Sequence, residues 1–240
     1  MSDLRILLWD IDGTLIRSTR PGAFKDYTVP ALEKIFGTAG RLPEMTVSGM
    51  TDLQIACEAL CEEGFTREQV CARVAELRSH YLEALEGAAA GAREGEPLFE
   101  LLPGAREALA AADGHPRYLS ALLTGNLEPV ARLKMRLVGL GEFFRLPGAF
   151  GDDSPDRRDL PALAAERIGR HLGLALAPEQ FIVIGDTPND IRCARHFGAR
   201  SIAVGTGRLN SVATLAPHSP DLLLPDLSDT AAVLAALEKL

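Results

Sequence analysis

Two acidic residues directly follow the first apolar run of the chain. Residues 6–9 read Ile-Leu-Leu-Trp, and Asp10 and Asp12 then alternate with Ile11 at the spacing of a strand. This alternation places both carboxylates side by side where the strand gives way to a loop. Neighbouring anions repel unless a cation lies between them, and Mg²⁺ is commonly held by one or two carboxylates together with substrate phosphate. An acidic turn is the alternative interpretation of the same residues.

The next two residues carry groups suited to binding an anion. Gly13 lets the backbone approach a ligand closely, and Thr14 offers a hydroxyl. We therefore expect both residues to contact the substrate.

Two further apolar runs also end in polar residues. Residues 118–123 lead into Thr-Gly-Asn, and residues 181–184 lead into Gly-Asp-Thr-Pro-Asn-Asp. The side chains and amides that we expect to face a ligand there are those of Thr124, Gly125, Asn126, Asp186 and Asp190. Ligands of parallel sheets bind at the carboxyl ends of the strands, so these groups and the first two acids should form one site. Asn126 is also predicted to cap the helix that follows it.

Strand-like and helix-like segments alternate through most of the chain, which predicts an α/β fold with a Rossmann-like parallel sheet. Residues 17–86 differ because they are almost wholly helical. We therefore divide the chain into a core domain of residues 1–16 and 87–240 and a helical cap of residues 17–86. Within this scheme Pro30 should interrupt the first cap helix, Thr66 should open one helix running to Leu85, and residues 87–97 should form a solvated connector.

The composition favours a protein that acts on small molecules. The chain has 240 residues, a net charge of −8 and a pI near 5.2. Nucleic-acid binding needs clustered Lys and Arg residues, which this sequence does not show. No apolar run reaches about 18 residues, and the acids near residue 10 precede any signal-peptide core. We expect a cytoplasmic monomer or weak dimer that binds neither nucleic acid nor membrane.

These residue types suit phosphoryl transfer. Asp10 can act as a nucleophile that forms an aspartyl phosphate, while Asp12 can serve as acid to the leaving oxygen and as base to water. Thr124 and the Gly125 amide can hold phosphoryl oxygens, as can Asn126. A bound Mg²⁺ would neutralise phosphoryl charge and let an anionic nucleophile approach. The predicted metal ligands are Asp10, Asp12, Asp186 and Asp190.

The same segments resemble the motifs of the haloacid dehalogenase superfamily of phosphohydrolases. Residues 10–14 match its first motif, Asp-x-Asp-Gly-Thr, while residues 124–126 and 185–190 are similar to its second and fourth motifs. The helical insertion resembles the cap of the subgroup containing phosphoglycolate phosphatase and β-phosphoglucomutase, and residues 48–52 resemble the cap loop that faces the site. The resemblance implies a Mg²⁺-dependent phosphatase acting on a small phosphorylated metabolite.

The third motif departs from the family pattern. The family usually places a Lys near the phosphoryl group, but this chain has none between Lys134 and Lys239. Arg157 precedes a predicted helix at the expected place, and its guanidinium could pair with phosphate. Arg158 and Lys134 are the alternatives. We expect Arg157 to lie on an exposed loop, where a cation contributes little to folding.

Two other functions remain open. A sugar-phosphate mutase of the same fold would retain the aspartyl phosphate and return it to a sugar. A non-catalytic phospho-acceptor or regulatory binding module would also combine strand-end Asp residues with Mg²⁺, although it would not need a helical insertion. Dehalogenases of the superfamily lack the second acid of the first motif, so Asp12 favours phosphate chemistry.

Overall fold

A five-stranded parallel sheet forms the centre of the protein in a computed structural model that describes residues 4–20, 22–92 and 96–240. The strands of this part of the chain are β1 (Arg5–Trp9), β2 (Ile16–Ser18), β3 (Phe99–Leu101), β4 (Tyr118–Leu122), β5 (Phe181–Gly185), β6 (Arg200–Val204) and β7 (Leu222–Leu224). The sheet order is β4-β1-β5-β6-β7, and every neighbouring pair is parallel. The predicted α/β class with a Rossmann-like parallel sheet is confirmed.

Helices separate the strands and also fill the interval between β2 and β3. They are α1 (Ala23–Phe36), α2 (Asp52–Leu60), α3 (Arg67–Cys71), α4 (Val74–Gly91), α5 (Ala105–Asp113), α6 (Glu128–Leu137), α7 (Leu160–Leu172), α8 (Pro188–Phe197), α9 (Val212–Leu215) and α10 (Thr230–Glu238). Residues 148–150 contribute a single bridge, between Ala149 and Leu123.

Strand β1 lies in the middle of the sheet and is buried on both faces. Ile6 and Leu8 pack into one hydrophobic cluster, whereas Leu7 and Trp9 pack into the other. The indole Nε1 of Trp9 donates a hydrogen bond to Ser120 Oγ on β4 at 3.1 Å. This double burial follows from the alternation of side chains along a strand. The burial of β1 therefore fixes the position in the sheet at which the chain emerges after Trp9.

Three predictions for the helical segment were wrong. Pro30 lies inside α1 without ending it, because the packing of a buried face that includes Leu32 and Ile35 outweighs the local cost of a helical proline. The helix predicted from Thr66 is divided into α3 and α4. Helix α4 then continues past the predicted end at Leu85 to Gly91, where the connector was predicted, because the alanines at residues 88–90 favour helix.

The two passages of chain between the sheet and the helical segment are paired with each other. Strand β2 leaves the sheet region and β3 returns to it, and the two form an antiparallel pair in which Ile16 lies opposite Leu101 and Ser18 opposite Phe99. The division into core and cap stays a prediction. Residues 93–95 of the predicted connector lie outside the described residues. None of the helices in the described ranges is long and apolar enough to cross a membrane.

Candidate active site

Three buried carboxylates converge at the carboxyl edge of the sheet. Asp10 follows β1, Asp186 follows β5, and Asp190 lies in the first turn of α8. Their exposed fractions are 4%, 3% and 2%, and one oxygen of each lies within 4.8 Å of the others. The Asp10 amide donates to the Ile184 carbonyl at 2.9 Å, so the adjacent ends of β1 and β5 are in register. The predicted convergence of the first and last polar segments is therefore observed.

Local backbone features fix two of these carboxylates. Thr187 caps α8, and Asp190 Oδ2 accepts hydrogen bonds from Thr187 N at 3.0 Å and from Thr187 Oγ1 at 2.6 Å. Asp186 Oδ1 accepts a hydrogen bond from Thr14 Oγ1 at 3.3 Å. Gly13 has a φ of +93°, and a Cβ there would lie 2.4 Å from Asp186 Oδ2. A glycine is therefore required where the first motif packs against the fourth.

A single guanidinium lies among the three carboxylates. Arg157 Nη2 is 3.1 Å from Asp10 Oδ1 and also pairs with Asp190 Oδ1. The expectation that Arg157 lies on an exposed loop was wrong: its side chain is 5% exposed, because the 3₁₀ turn that it opens packs against α8. Arg158 points outward instead and pairs with Asp156. The geometry thus favours Arg157 over Arg158 as the cation beside the nucleophile.

Burial and the repulsion between neighbouring carboxylates both raise pKa values in the cluster. Burial raises the pKa of Asp10, and the neighbouring Arg157 charge opposes that increase. Burial, followed by the charges of Asp10 and Asp190, raises the pKa of Asp186 well above its usual range. Burial alone would lower the pKa of Arg157, but Asp190 and Asp10 outweigh it and raise that pKa.

These charges provide a test of whether the cluster fits a metal ion. When all three carboxylates are ionised, the single Arg157 charge leaves negative charge in a region with little water. A divalent cation with oxygen ligands would balance that charge. The donor set therefore fits a hard cation such as Mg²⁺.

The carboxylate of Asp12 is held apart from this cluster. Among the residues that the structure describes, the carboxylates close enough to share a metal do not include it. Lys134 Nζ donates to Asp12 Oδ1 at 2.9 Å and to Oδ2 at 2.7 Å, and Asn126 Nδ2 donates to Oδ2 at 2.7 Å. The Asp12 side chain is 44% exposed. Lys134 thus contacts the second acid of the motif, whereas Arg157 contacts the first.

The second motif lies beside Asp12, at the end of β4. Thr124 is fully buried, and its Oγ1 accepts a hydrogen bond from Asn126 Nδ2 at 2.9 Å. The prediction that Asn126 caps the following helix was wrong. Helix α6 begins at Glu128 after Leu127 with no side-chain cap, because the Asn126 side chain is already bonded to Asp12, Thr124 and Lys134.

Residues 48–52 of the helical segment lie against the second and fourth motifs. The Gly49 carbonyl accepts a hydrogen bond from Asn189 Nδ2 at 2.7 Å, and the Gly125 carbonyl accepts one from the Asp52 amide at 2.7 Å. Asp52 Oδ2 accepts a hydrogen bond from the Leu127 amide at 2.9 Å. Burial raises the pKa of Asp52 to about 7, although this hydrogen bond and the Lys134 charge oppose the increase.

A sequence model described as haloacid dehalogenase-like hydrolase matches residues 7–195, which is most of the chain and includes all the motifs above. The chain belongs to the haloacid dehalogenase-like hydrolase family. Membership makes it an enzyme of the hydrolase class, as the resemblance of its motifs implied.

Individual members of the haloacid dehalogenase-like family extend the match over nearly the whole chain. A phosphoglycolate phosphatase of Pectobacterium atrosepticum is 28% identical over 235 residues, covering 95% of this chain and 92% of the relative. The crystal structure of a predicted phosphoglycolate phosphatase from Haemophilus somnus has a TM-score of 0.64 at 20% identity, covering 98% and 99% of the two chains. A β-phosphoglucomutase structure from Clostridium difficile has a TM-score of 0.66 at 14% identity and covers 98% of each chain. The two structures show a common fold.

Sequence reasoning missed two residues that contact the motifs. Asp52 was recognised only as part of residues 48–52, the segment that resembles the cap loop facing the site, since nothing local indicates that its side chain reaches the Leu127 amide. Lys134 was considered as a phosphate-binding cation but not as the partner of Asp12. A lysine at helical spacing from the apolar Val130 and Ala131 was a usable signal, because such a position on α6 faces the interior.

Replacing the buried guanidinium should destabilise the fold. We expect Arg157→Met to lower the free energy of unfolding in metal-free buffer by about 3–5 kcal/mol, because Asp10 and Asp190 would lose their countercharge. Arg158→Met is the matched control and should change it by less than about 0.5 kcal/mol, since Arg158 is solvated. Urea unfolding of the three proteins in EDTA measures both values. Similar losses in the two variants would contradict the buried placement of Arg157.

Asp52 should make stability depend on pH. Its folded-state pKa, raised to about 7, lies above that of an unfolded aspartate, so the native protein binds the proton more tightly. The free energy of unfolding should therefore fall as pH rises from about 4 to about 7, by at most about 1.4 kcal/mol per pH unit from this group. Asp52→Asn keeps an oxygen acceptor for Leu127 and should lose this contribution.

Urea unfolding between these pH values measures the difference between Asp52→Asn and the parent. Asp113→Asn, at an exposed position on α5, is the control and should follow the parent. A pH dependence that is the same in all three proteins would refute the assignment to Asp52.

Proposed function

We propose that this hydrolase is a Mg²⁺-dependent phosphatase that acts through an aspartyl phosphate on a small phosphorylated metabolite. The observation that carries the proposal is the different placement of two acids within one motif. Asp10 is buried beside Arg157 and Asp186, whereas Asp12 is partly exposed and held by Lys134 and Asn126. One carboxylate is thus placed for attack within a charged cluster, and the other for proton transfer beside it.

The chemistry divides between the two acids. An Asp10 oxygen attacks phosphorus, the bond from phosphorus to the leaving oxygen breaks, and Asp12 protonates that oxygen. In the second step Asp12 removes a proton from water, the water oxygen attacks phosphorus, and the acyl phosphate bond breaks to release Asp10. Arg157 stabilises the phosphoryl charge beside Asp10, and the Thr124 hydroxyl and the Gly125 amide are the proposed donors to the phosphoryl oxygens.

Asp10 and Asp186 would hold the Mg²⁺ ion. Asp190 already accepts hydrogen bonds on both oxygens, from Arg157 on one and from Thr187 on the other, so we assign it the positioning of Arg157. Asp12 is assigned to proton transfer, because its side chain is partly exposed and lies outside the carboxylate cluster of the described residues. When bound, the ion neutralises phosphoryl charge and allows one anion to approach another.

The named relative indicates which substrate to test first. Because that relative is a phosphoglycolate phosphatase, 2-phosphoglycolate is the first compound to test. A cytoplasmic location and a monomeric or weakly dimeric state stay predictions from the sequence, as does the absence of nucleic-acid and membrane partners.

Turnover of phosphate esters tests the proposed activity. We expect many equivalents of phosphate per chain from at least one member of a panel of 2-phosphoglycolate and sugar, nucleotide and polyol phosphates in Mg²⁺. EDTA should abolish release, and added Mg²⁺ should restore it, because the Asp10 cluster needs a countercharge. One phosphate bound stably per chain would indicate a phospho-acceptor module, and isomerisation without release would indicate a mutase. Full activity in EDTA would contradict the metal assignment.

Substitution of Asp10 and substitution of Asp12 should block different steps of the reaction. Asp10→Asn and Asp12→Asn should each lose activity by more than about 10²-fold, since positioned proton transfer alone is worth roughly that. Only Asp12→Asn keeps the nucleophile and can still form an acyl phosphate. Brief incubation with ³²P-labelled substrate followed by acid quench measures the trapped label. Stoichiometric labelling of Asp10→Asn would show that another residue is the nucleophile.

A further inference from the structure

The geometry points to Lys134, together with Asn126, as the pair that positions Asp12 for proton transfer to the leaving group. The inference rests on the proposed phosphatase function and concerns an interaction between α6 and the first motif. Lys134 is a positioning residue here, since it acts on the reaction through the carboxylate of Asp12.

The Lys134 ammonium is fully matched by acceptors. An ammonium group has three N–H donors. Its three partners are Asp12 Oδ1 at 2.9 Å, Asp12 Oδ2 at 2.7 Å and Asn126 Oδ1 at 2.7 Å. Asn126 Nδ2 then donates back to Asp12 Oδ2 at 2.7 Å and to Thr124 Oγ1 at 2.9 Å. The side-chain amide therefore links lysine, carboxylate and second motif in one network.

The surroundings of Lys134 hold the ammonium in place. Its side chain is 4% exposed, on the inner face of α6, and Nζ lies 5.4 Å from the centre of the Phe99 ring. A buried lysine is costly unless it is paired, and here the pairing is to a single carboxylate. Because Asp12 lies on the loop after β1 and is partly exposed, these fixed donors restrict where its carboxylate can point.

This restriction matters for the step in which a proton is transferred. A carboxylate two residues from Asp10 could otherwise turn toward the Mg²⁺ ligands, where it could not reach the leaving oxygen. The need for a positioned acid depends on the ester: a poor leaving group such as an alkoxide requires protonation, whereas 2,4-dinitrophenolate leaves without it. Loss of positioning should therefore depend on the leaving group, which a general loss of structure would not do.

The test compares Lys134→Met with the parent across phosphate monoesters of increasing leaving-group pKa, from 2,4-dinitrophenyl through p-nitrophenyl to alkyl phosphates. We expect kcat/KM for alkyl esters to fall on the order of 10²-fold, the value of positioned proton transfer, because kcat/KM reports the step in which the leaving oxygen departs. With the dinitrophenyl ester the loss of kcat/KM should be no more than about threefold, because departure of that leaving group needs little proton transfer. Lys134→Arg should recover part of the alkyl-ester activity, since it keeps the charge.

Three further variants make the result interpretable. Arg136→Met replaces an exposed cation on the same helix and should match the parent on every ester. Asn126→Ala should show the same leaving-group dependence as Lys134→Met, but more weakly. It replaces Lys134→Met in the test if circular dichroism shows that Lys134→Met does not fold. The double variant of Asp12→Asn with Lys134→Met should lose no more than Asp12→Asn alone, because both changes remove the same function.

The outcomes separate this inference from the proposed function. A parent without turnover on any ester would refute the phosphatase proposal itself. A parent that turns over, with Asp12→Asn showing a leaving-group-dependent loss of kcat/KM, would support the phosphatase proposal. If Lys134→Met and Asn126→Ala then lost kcat/KM equally on all esters, or not at all, the positioning role would be overturned while the phosphatase stayed intact.

Discussion

The site depends on the balance of charge around one buried guanidinium. Arg157 comes from the turn before α7, Asp10 from the end of β1, and Asp190 from the start of α8. Each of these groups would be costly to bury alone, and each is tolerated because the others are present. The interaction therefore ties together three distant parts of the chain, and it leaves negative charge over for a cation to balance.

The two acids of the first motif show how position changes the properties of one residue type. Asp10 is enclosed and contacts Arg157, so burial dominates its electrostatics. Asp12, two residues later, has left the strand and lies beside Lys134 in contact with solvent. Two carboxylates in different surroundings can carry different roles in one reaction, as the proposed mechanism requires. The cations that distinguish them come from separate elements, Arg157 from the turn before α7 and Lys134 from α6.

The strand ends were predictable because their signal is local. Apolar runs that stop at polar residues locate Asp10, Thr124 and Asp186, and the rule for parallel sheets brings them to one edge. The burial of Arg157 was not predictable in this way, since a cation in a polar loop has the same local pattern whether it points inward or outward. The partner of Lys134 was hidden for a related reason: helical periodicity gives the buried face of α6, but not which side chain 122 residues away lies opposite. Helix α4 passed its predicted end because the helical propensity of the alanines at residues 88–90 outweighed the cost of Gly87.

The pairing of β2 with β3 has a mechanical consequence for the helical segment. The outgoing and returning passages are hydrogen-bonded to each other along Ile16–Ser18 and Phe99–Leu101, so they behave as one ribbon rather than two independent tethers. Movement of the helical segment as one body would carry Gly49 and Asp52 away from the motifs together. Asn189 and Leu127 would lose their hydrogen-bond partners in the same movement, so the two contacts would break together.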